Sequence, residues 1–437
     1  MNDRYLNTNE LIDYELIQRR EEGLDVDDFE SQWAEIQNTY RKEDAEHLLR
    51  ELEAIDSPKD LNQNEPSNLK DIVGKTDNRS SNVSFKDDFL YDRILGGWLG
   101  RAAGCMLGKP VEKHPRQKIR EILKSNNTWP LSNYITAKGI PDEVKSTFSW
   151  NRHSGVESLR ENIECMAEDD DLNYPMLNLK VVESFGLGFT TENIGTTWLE
   201  RMPVMSTFTA ERIAYYNLLS GYLSPETATN RNPYREWIGA QIRADLWGWI
   251  SPGNPKRATE LAWRDARLSH VRNGMYGEMY FAGVLANSFI EDSPKDALQK
   301  ALPLIPEKSR FTEAIHFALN LEKITDDWET ALDQLHEEFG HYHWVHTINN
   351  AALVTAALIF GNGDYEQSIC NVVMGGWDTD SNGATVGSIV GTMLGAENLP
   401  GKWIDPLNNQ IRSSMKGFDR SRFTDLAKRT VAQINKG

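Results

Sequence analysis

Cysteine is scarce. The chain of 437 residues holds three, Cys105, Cys165 and Cys370, without CxxC or Cys/His spacing, which argues against a disulfide framework or a thiolate zinc centre and fits a reducing, cytoplasmic setting. Long apolar runs are missing as well. Nothing approaches the roughly 18 to 20 uninterrupted apolar residues of a membrane span, and the opening MNDRYLNTNELIDYE lacks the basic head and apolar run of an export signal. The expectation is a chain that is neither exported nor membrane-bound. Positive charge is in deficit: 47 Lys and Arg stand against 65 Asp and Glu, a net charge of −18. General affinity for nucleic acid or an anionic membrane is therefore disfavoured, a local basic groove stays open, and cations or basic partners are favoured. Strand-like alternation bounded by turns is sparse.

Helical spacing is what the chain has instead. Leu11, Tyr14 and Leu16, then Phe29, Trp33 and Ile36, then Leu48, Leu49 and Leu52 predict two or three amphipathic helices before about Ile55. Residues 56–86 are polar and rich in Asn and Ser, which reads as a linker. From Asp88 onward apolar residues recur at i, i+3 and i+4, so the body is predicted to be predominantly α-helical, with no short-period repeat. The expected division is an acidic helical extension and linker over 1–86 and a helical body over 87–437.

Glycine appears where helices ordinarily avoid it. DRILGGWLGRAAGCMLGKPVE (Asp92 to Glu112) places Gly96, Gly100, Gly104 and Gly108 four residues apart, and WDTDSNGATVGSIVGTMLGA (Trp377 to Ala396) does the same with Gly383, Gly387, Gly391 and Gly395. Each interior glycine costs about 1 kcal/mol against alanine, so such rows predict close backbone approach to a neighbouring element. They describe packing rather than chemistry, and the surrounding apolar runs are too short to be membrane dimerisation helices.

The chemistry lies beside the glycines. Glu168, Asp169, Asp170 and Asp171 are consecutive, and Asp378, Asp380 and Ser381 form a second cluster far along the chain. Adjacent carboxylates repel unless water screens them or a hard, oxygen-seeking cation sits among them. An acidic run alone is ordinarily a solvated face or a helix cap. Asp378 and Asp380 are different because Val372, Val373, Met374, Trp377 and an apolar helix flank them, where an unpaired carboxylate is expensive.

At these residues the chain resembles the ADP-ribosylglycohydrolase family. Asp92 to Glu112 is similar to its first glycine-rich helix and following Gly-x-Pro-x-Glu turn, EDDDLNY (Glu168 to Tyr174) stands at the place of its Thr-Asp-Asp metal motif, and Trp377 to Ala396 resembles its Asp-x-Asp-Thr/Ser motif. The resemblance implies a compact all-α domain with a cleft for two Mg²⁺ or Mn²⁺ ions, held by Glu168, Asp169, Asp170, Asp378, Asp380 and Ser381. The threonine before the paired aspartates is absent, so either Glu168-Asp169-Asp170 or Asp169-Asp170-Asp171 can be the matching triplet, the first being preferred. The implied catalytic groups are Glu112, Asp170 and Asp378. RDARLSHVRNGMYGEMY (Arg264 to Tyr280) similarly puts His270, Asn273, Gly274 and Gly277 near the substrate. For His341, His343 and His346 ordinary packing comes first, contact with ADP-ribose second and zinc third.

The implied activity is metal-dependent hydrolysis of the ribosyl bond of an ADP-ribosylated protein, with arginine as the linkage. A non-catalytic or small-molecule-specific ADP-ribose-binding protein of the same fold is the alternative. In the extension, Asp27, Asp28, Phe29, Glu30 and Trp33 combine acidic charge with aromatic anchors, a composition suited to a basic pocket on a partner. With a hydrolase body behind it, this arrangement looks like an immunity protein that blocks an ADP-ribosyltransferase toxin and removes ADP-ribose from its targets.

Overall fold

The computed structural model describes residues 4–39, 41–73 and 84–434, and among them it is all-helical, with three isolated bridges and no strand. At its centre the helix Asp87–Gly108 lies antiparallel against the helix Thr379–Leu394. The two glycine rows face each other. A Cβ at Gly96, Gly100 or Gly104 would overlap the backbone of Gly391, Gly387 or Gly383, and the reverse holds from the other side. Only glycine lets the chains approach so closely. Along the facing stretches Gly96 to Gly108 and Thr379 to Thr392 every residue is buried, including Trp98, Cys105, Met106 and Ile389. All three cysteines are free, and among the described residues no helix is long and apolar enough to cross a membrane.

Up to Ile55 the extension forms three helices, α1 (Thr8–Glu21), α2 (Asp27–Thr39) and α3 (Lys42–Glu53), and they are docked on the body. Leu11, Leu16, Trp33, Leu48, Leu49 and Leu52 make a second apolar core with Ala210, Ile213, Tyr234 and Trp237. Fully burying one such leucine is worth about 1.5 to 3 kcal/mol.

Charge completes the seam. Arg235 donates to Glu15 at 2.7 Å and to Glu22 at 2.9 Å, and Arg272 lies 3.3 Å from Glu22. Arg310 grips Glu65 bidentately at 2.9 and 2.8 Å while reaching Glu236 at 3.0 Å. Residues 56–73, read as part of a linker, are therefore anchored. Glu65 is buried, Trp263 donates to the Ser67 carbonyl at 3.0 Å, and Tyr276 donates to that of Pro66. The remainder of that stretch, 74–83, lies outside the described residues.

α2 divides the residues expected to meet a partner. Trp33 turns inward and donates its indole N–H to Asp13 at 2.7 Å, and Phe29 packs against the same core. Asp27 and Asp28 face solvent, and Glu30 pairs with Arg20.

Candidate active site

The antiparallel glycine contact brings the C-terminal end of one helix beside the N-terminal end of the other, and both ends carry charge. Thr379 ties them together through a 2.8 Å bond from its hydroxyl to the Gly108 carbonyl. Just before it, Gly376 and Trp377 both adopt left-handed backbone, φ +82° and +58°, which turns the chain sharply between the preceding helix Tyr365–Met374 and Asp378. For tryptophan this conformation is costly and persists only where packing imposes it; here the ring packs tilted against His336, centroids 4.3 Å apart. The Asp378 N–H donates to Asn350 at 3.2 Å, and its carboxylate is not used to cap the helix. That side chain is left to face inward.

Asp378, Asp380 and Ser381 line a cavity with Glu112, Asp170 and Asp171. Carboxylate oxygens of Glu112, Asp378 and Asp380 lie within 4.8 Å of one another, all three residues being buried. The second acidic segment starts the helix Asp170–Phe185, with Asp169 as its cap accepting the Asp171 N–H at 2.8 Å. Asp is as good a cap as threonine, so Asp169 fills the place where the resemblance led to a missing threonine. Glu168 turns the other way, accepting from Asn173 at 2.9 Å. Of the two triplets, Asp169-Asp170-Asp171 is the one that meets the Asp378 segment: the Ser381 hydroxyl donates to Asp171 at 3.2 Å.

Three cations, each missed from sequence, compensate these acids. Arg101, fully buried, bridges Asp171 at 3.1 Å and Asp245 at 2.7 Å. Lys109 is paired with Asp169 and stands 3.7 Å from Asp380. Arg152 lines the cavity and covers the Phe208 ring at 4.1 Å. The electrostatics follow this distribution. Burial, reinforced by Asp380, pushes Glu112 up to about 8 and Asp378 well above the carboxylate range. Burial likewise raises Asp170 to about 6 against the pull of Arg152. Burial acts on Asp380 in the same sense, yet Lys109 and hydrogen bonding from Asp378 bring it below its ordinary value. The crowding of these carboxylates thus favours the protonated form at Glu112 and Asp378 and the ionised form at Asp380.

The rim is aromatic and partly made by the extension. Tyr5 and Tyr14 line the cavity, Tyr14 meeting Trp237 edge-on at 5.3 Å, while Trp237 stacks on His343 at 4.2 Å. His346 is buried at the start of the helix Thr347–Gly361, where its ring accepts the Ile348 N–H at 3.2 Å, and His341 is exposed. The acidic groupings contain no histidine.

His270, Asn273, Gly274 and Gly277 are buried but are not among the cavity-lining residues. Asn273 donates to Glu65 and Glu236, both at 2.7 Å, Gly274 and Gly277 admit the chain around Arg235 and Gln241, and His270 bonds Ser269 at 2.8 Å. They sit beside the seam with the extension. A buried glycine-rich helix start looks alike in sequence whether it cradles a ligand or a neighbouring chain segment.

No curated protein matches the chain. A solved structure described as an ADP-ribosylglycohydrolase-related protein complex is similar to it at 19% identity and TM-score 0.49, over 80% of this chain and 99% of that one. The profile of the ADP-ribosylglycohydrolase family matches residues 86–436, which is the helical body with its acidic cavity and excludes the docked extension. The chain belongs to the ADP-ribosylglycohydrolase family and is a glycosyl-bond hydrolase.

Proposed function

We propose that this chain removes ADP-ribose from arginine side chains of modified proteins, with a divalent cation, Mg²⁺ or Mn²⁺, at the acidic cavity. The observation that carries the reading is the trio Glu112, Asp378 and Asp380: three buried carboxylates with oxygens within 4.8 Å of each other. Such a group is costly without a cation, and an all-oxygen donor set suits a hard one. A bound cation supplies charge that orients ribose hydroxyls and acidifies a water molecule.

The side chains do the rest. Asp170, raised to about 6, is poised to exchange a proton near neutral pH, as departure of the guanidine and attack of water require. Arg152 offers its charge to a phosphate, and Trp237 and His343 form an aromatic wall beside it. Release of ADP-ribose from an arginine-modified protein, with serine-modified protein as comparison, tests the reading. Release should need Mg²⁺ or Mn²⁺, and Asp170→Asn should slow it by about 100-fold or more. No release at any metal concentration, or full activity in an Asp378→Ala/Asp380→Ala double variant, sinks it.

The exposed carboxylates of α2 favour a second role alongside this one. Asp27 and Asp28 are exposed on the docked extension, available to the basic, phosphate-binding pocket of an ADP-ribosyltransferase toxin. The chain would then act in immunity, by blocking the enzyme and by reversing its product. Protection by the Asp378→Ala/Asp380→Ala variant, lost on adding Asp27→Lys and Asp28→Lys, is the expected pattern; no protection without hydrolysis leaves reversal as the sole route.

A further inference from the structure

The acids on the two sides of the cavity differ in what they lack. Asp169 accepts the Asp171 N–H at 2.8 Å on one carboxylate oxygen, and its other oxygen is paired with Lys109. Asp171 is engaged as well, accepting from Arg101 at 3.1 Å and from Ser381 at 3.2 Å. On the other side, Glu112 meets the side-chain amide of Asn151, Asp380 accepts the Ser381 N–H at 3.1 Å with Lys109 3.7 Å away, and Lys113 and Arg152 also line the cavity.

Lys109 is only 2% exposed. Its position follows from the fold: the glycine helix ends at Gly108, and a short 3₁₀ turn, Lys109–Val111, aims the next side chain into the gap between the two acidic segments. A lysine buried so deeply needs carboxylates around it. It also brings a fixed positive charge to a gap where a metal ion would otherwise have to supply one. A divalent ion and an ammonium do not share the same carboxylate oxygens at contact distance.

We propose that Lys109 is a built-in cation, its ammonium holding the place of one of two metal ions between the 169–171 and 378–380 acids, so that the protein binds a single divalent ion at Glu112, Asp378 and Asp380. The assignment rests on the metal-dependent reading of the same cavity and departs from its two-ion expectation. The single ion is exchangeable. The charge beside it is part of the chain and survives chelation, so the 169–171 and 378–380 segments stay bridged in metal-free protein.

The test is the number of Mn²⁺ ions bound by the full chain, counted by native mass spectrometry and by titration calorimetry at saturating Mn²⁺. One ion is expected in the wild type, two in Lys109→Met, and one in Lys109→Arg. Equal non-zero counts in wild type and Lys109→Met overturn the lysine assignment alone. No ion in either overturns the metal reading of the activity with it, and any other pair of counts overturns the assignment. Should Lys109→Met fail to fold, the wild-type count decides: one ion supports the proposal, two or none overturns it.

Discussion

Between the two glycine helices there is almost nothing but backbone, whereas between the N-terminal helices and the body there is a lattice of charged side chains. The first seam is made by leaving side chains out at Gly96, Gly100, Gly104, Gly383, Gly387 and Gly391. The second is made by putting long ones in, with Arg235, Arg272 and Arg310 set against Glu15, Glu22 and Glu65. A steric seam has no soft degree of freedom and responds only to volume. A charged seam responds to protons and to the loss of any one partner.

Breaking the steric seam should have the largest effect. Gly104→Leu puts a side chain where the Gly383 carbonyl lies, and no rotamer avoids it because the clash begins at Cβ. A loss above about 4 kcal/mol is expected, in the exceptional range for one substitution, as a shift in the urea midpoint or failure to fold. Next comes Arg235→Ala, which takes one of two paired arginines from Glu15 and one of three from Glu22, leaving Arg19 and Arg272 to them. Removing one partner of a buried ion pair costs about 3 to 5 kcal/mol. This loss should appear first at the extension, as protease cleavage within residues 56–73 while the body keeps its helical signal.

The smallest effect is a pH response that separates the two seams without mutation. Burial acts to raise Glu22, but Arg235, Arg272 and Arg19 outweigh it and hold the group at about 2. Its folded value is depressed, so the unfolded state binds more protons between its ordinary value near 4.5 and about 2. Its contribution is complete above that window and is lost as pH falls through it. Hydrogen exchange should then show α1 opening progressively from pH 4.5 downward, ahead of the glycine helices, whose facing glycines carry no side chain to titrate.

Sequence legibility divides along the same line. Omitted side chains are visible in a sequence, and two four-residue glycine rows announced tight packing, although not that each row packs on the other. Helical spacing gave α1, α2 and α3, and the acidic clusters singled out Asp170, Asp378 and Asp380, which line one cavity. Charge pairing across long separations leaves no such mark. Glu65 reads as one more polar residue in a linker until Arg310, 245 positions away, is beside it. Lys109 in GKPVE and Arg101 in the middle of a glycine-rich helix carry no sign of their burial, because a sequence records charge but not what surrounds it. The choice between Glu168 and Asp171 had the same cause: four adjacent acids are chemically alike, and the helix start at Asp170 decides which of them point inward.

The glycine rows also work as a ruler. Each row advances one notch every four residues, about 6 Å along a helix axis at 1.5 Å per residue, and because every notch accepts only the opposing backbone, the two helices can mesh in whole steps alone. Glu112 follows one row and Asp378 precedes the other, so their spacing is inherited from which notch meets which. A slip of one notch would carry the two sets of acids some 6 Å past each other, while intermediate drift is blocked by clash. The distance across the acidic cavity is therefore set in discrete increments, by residues that carry no chemistry of their own.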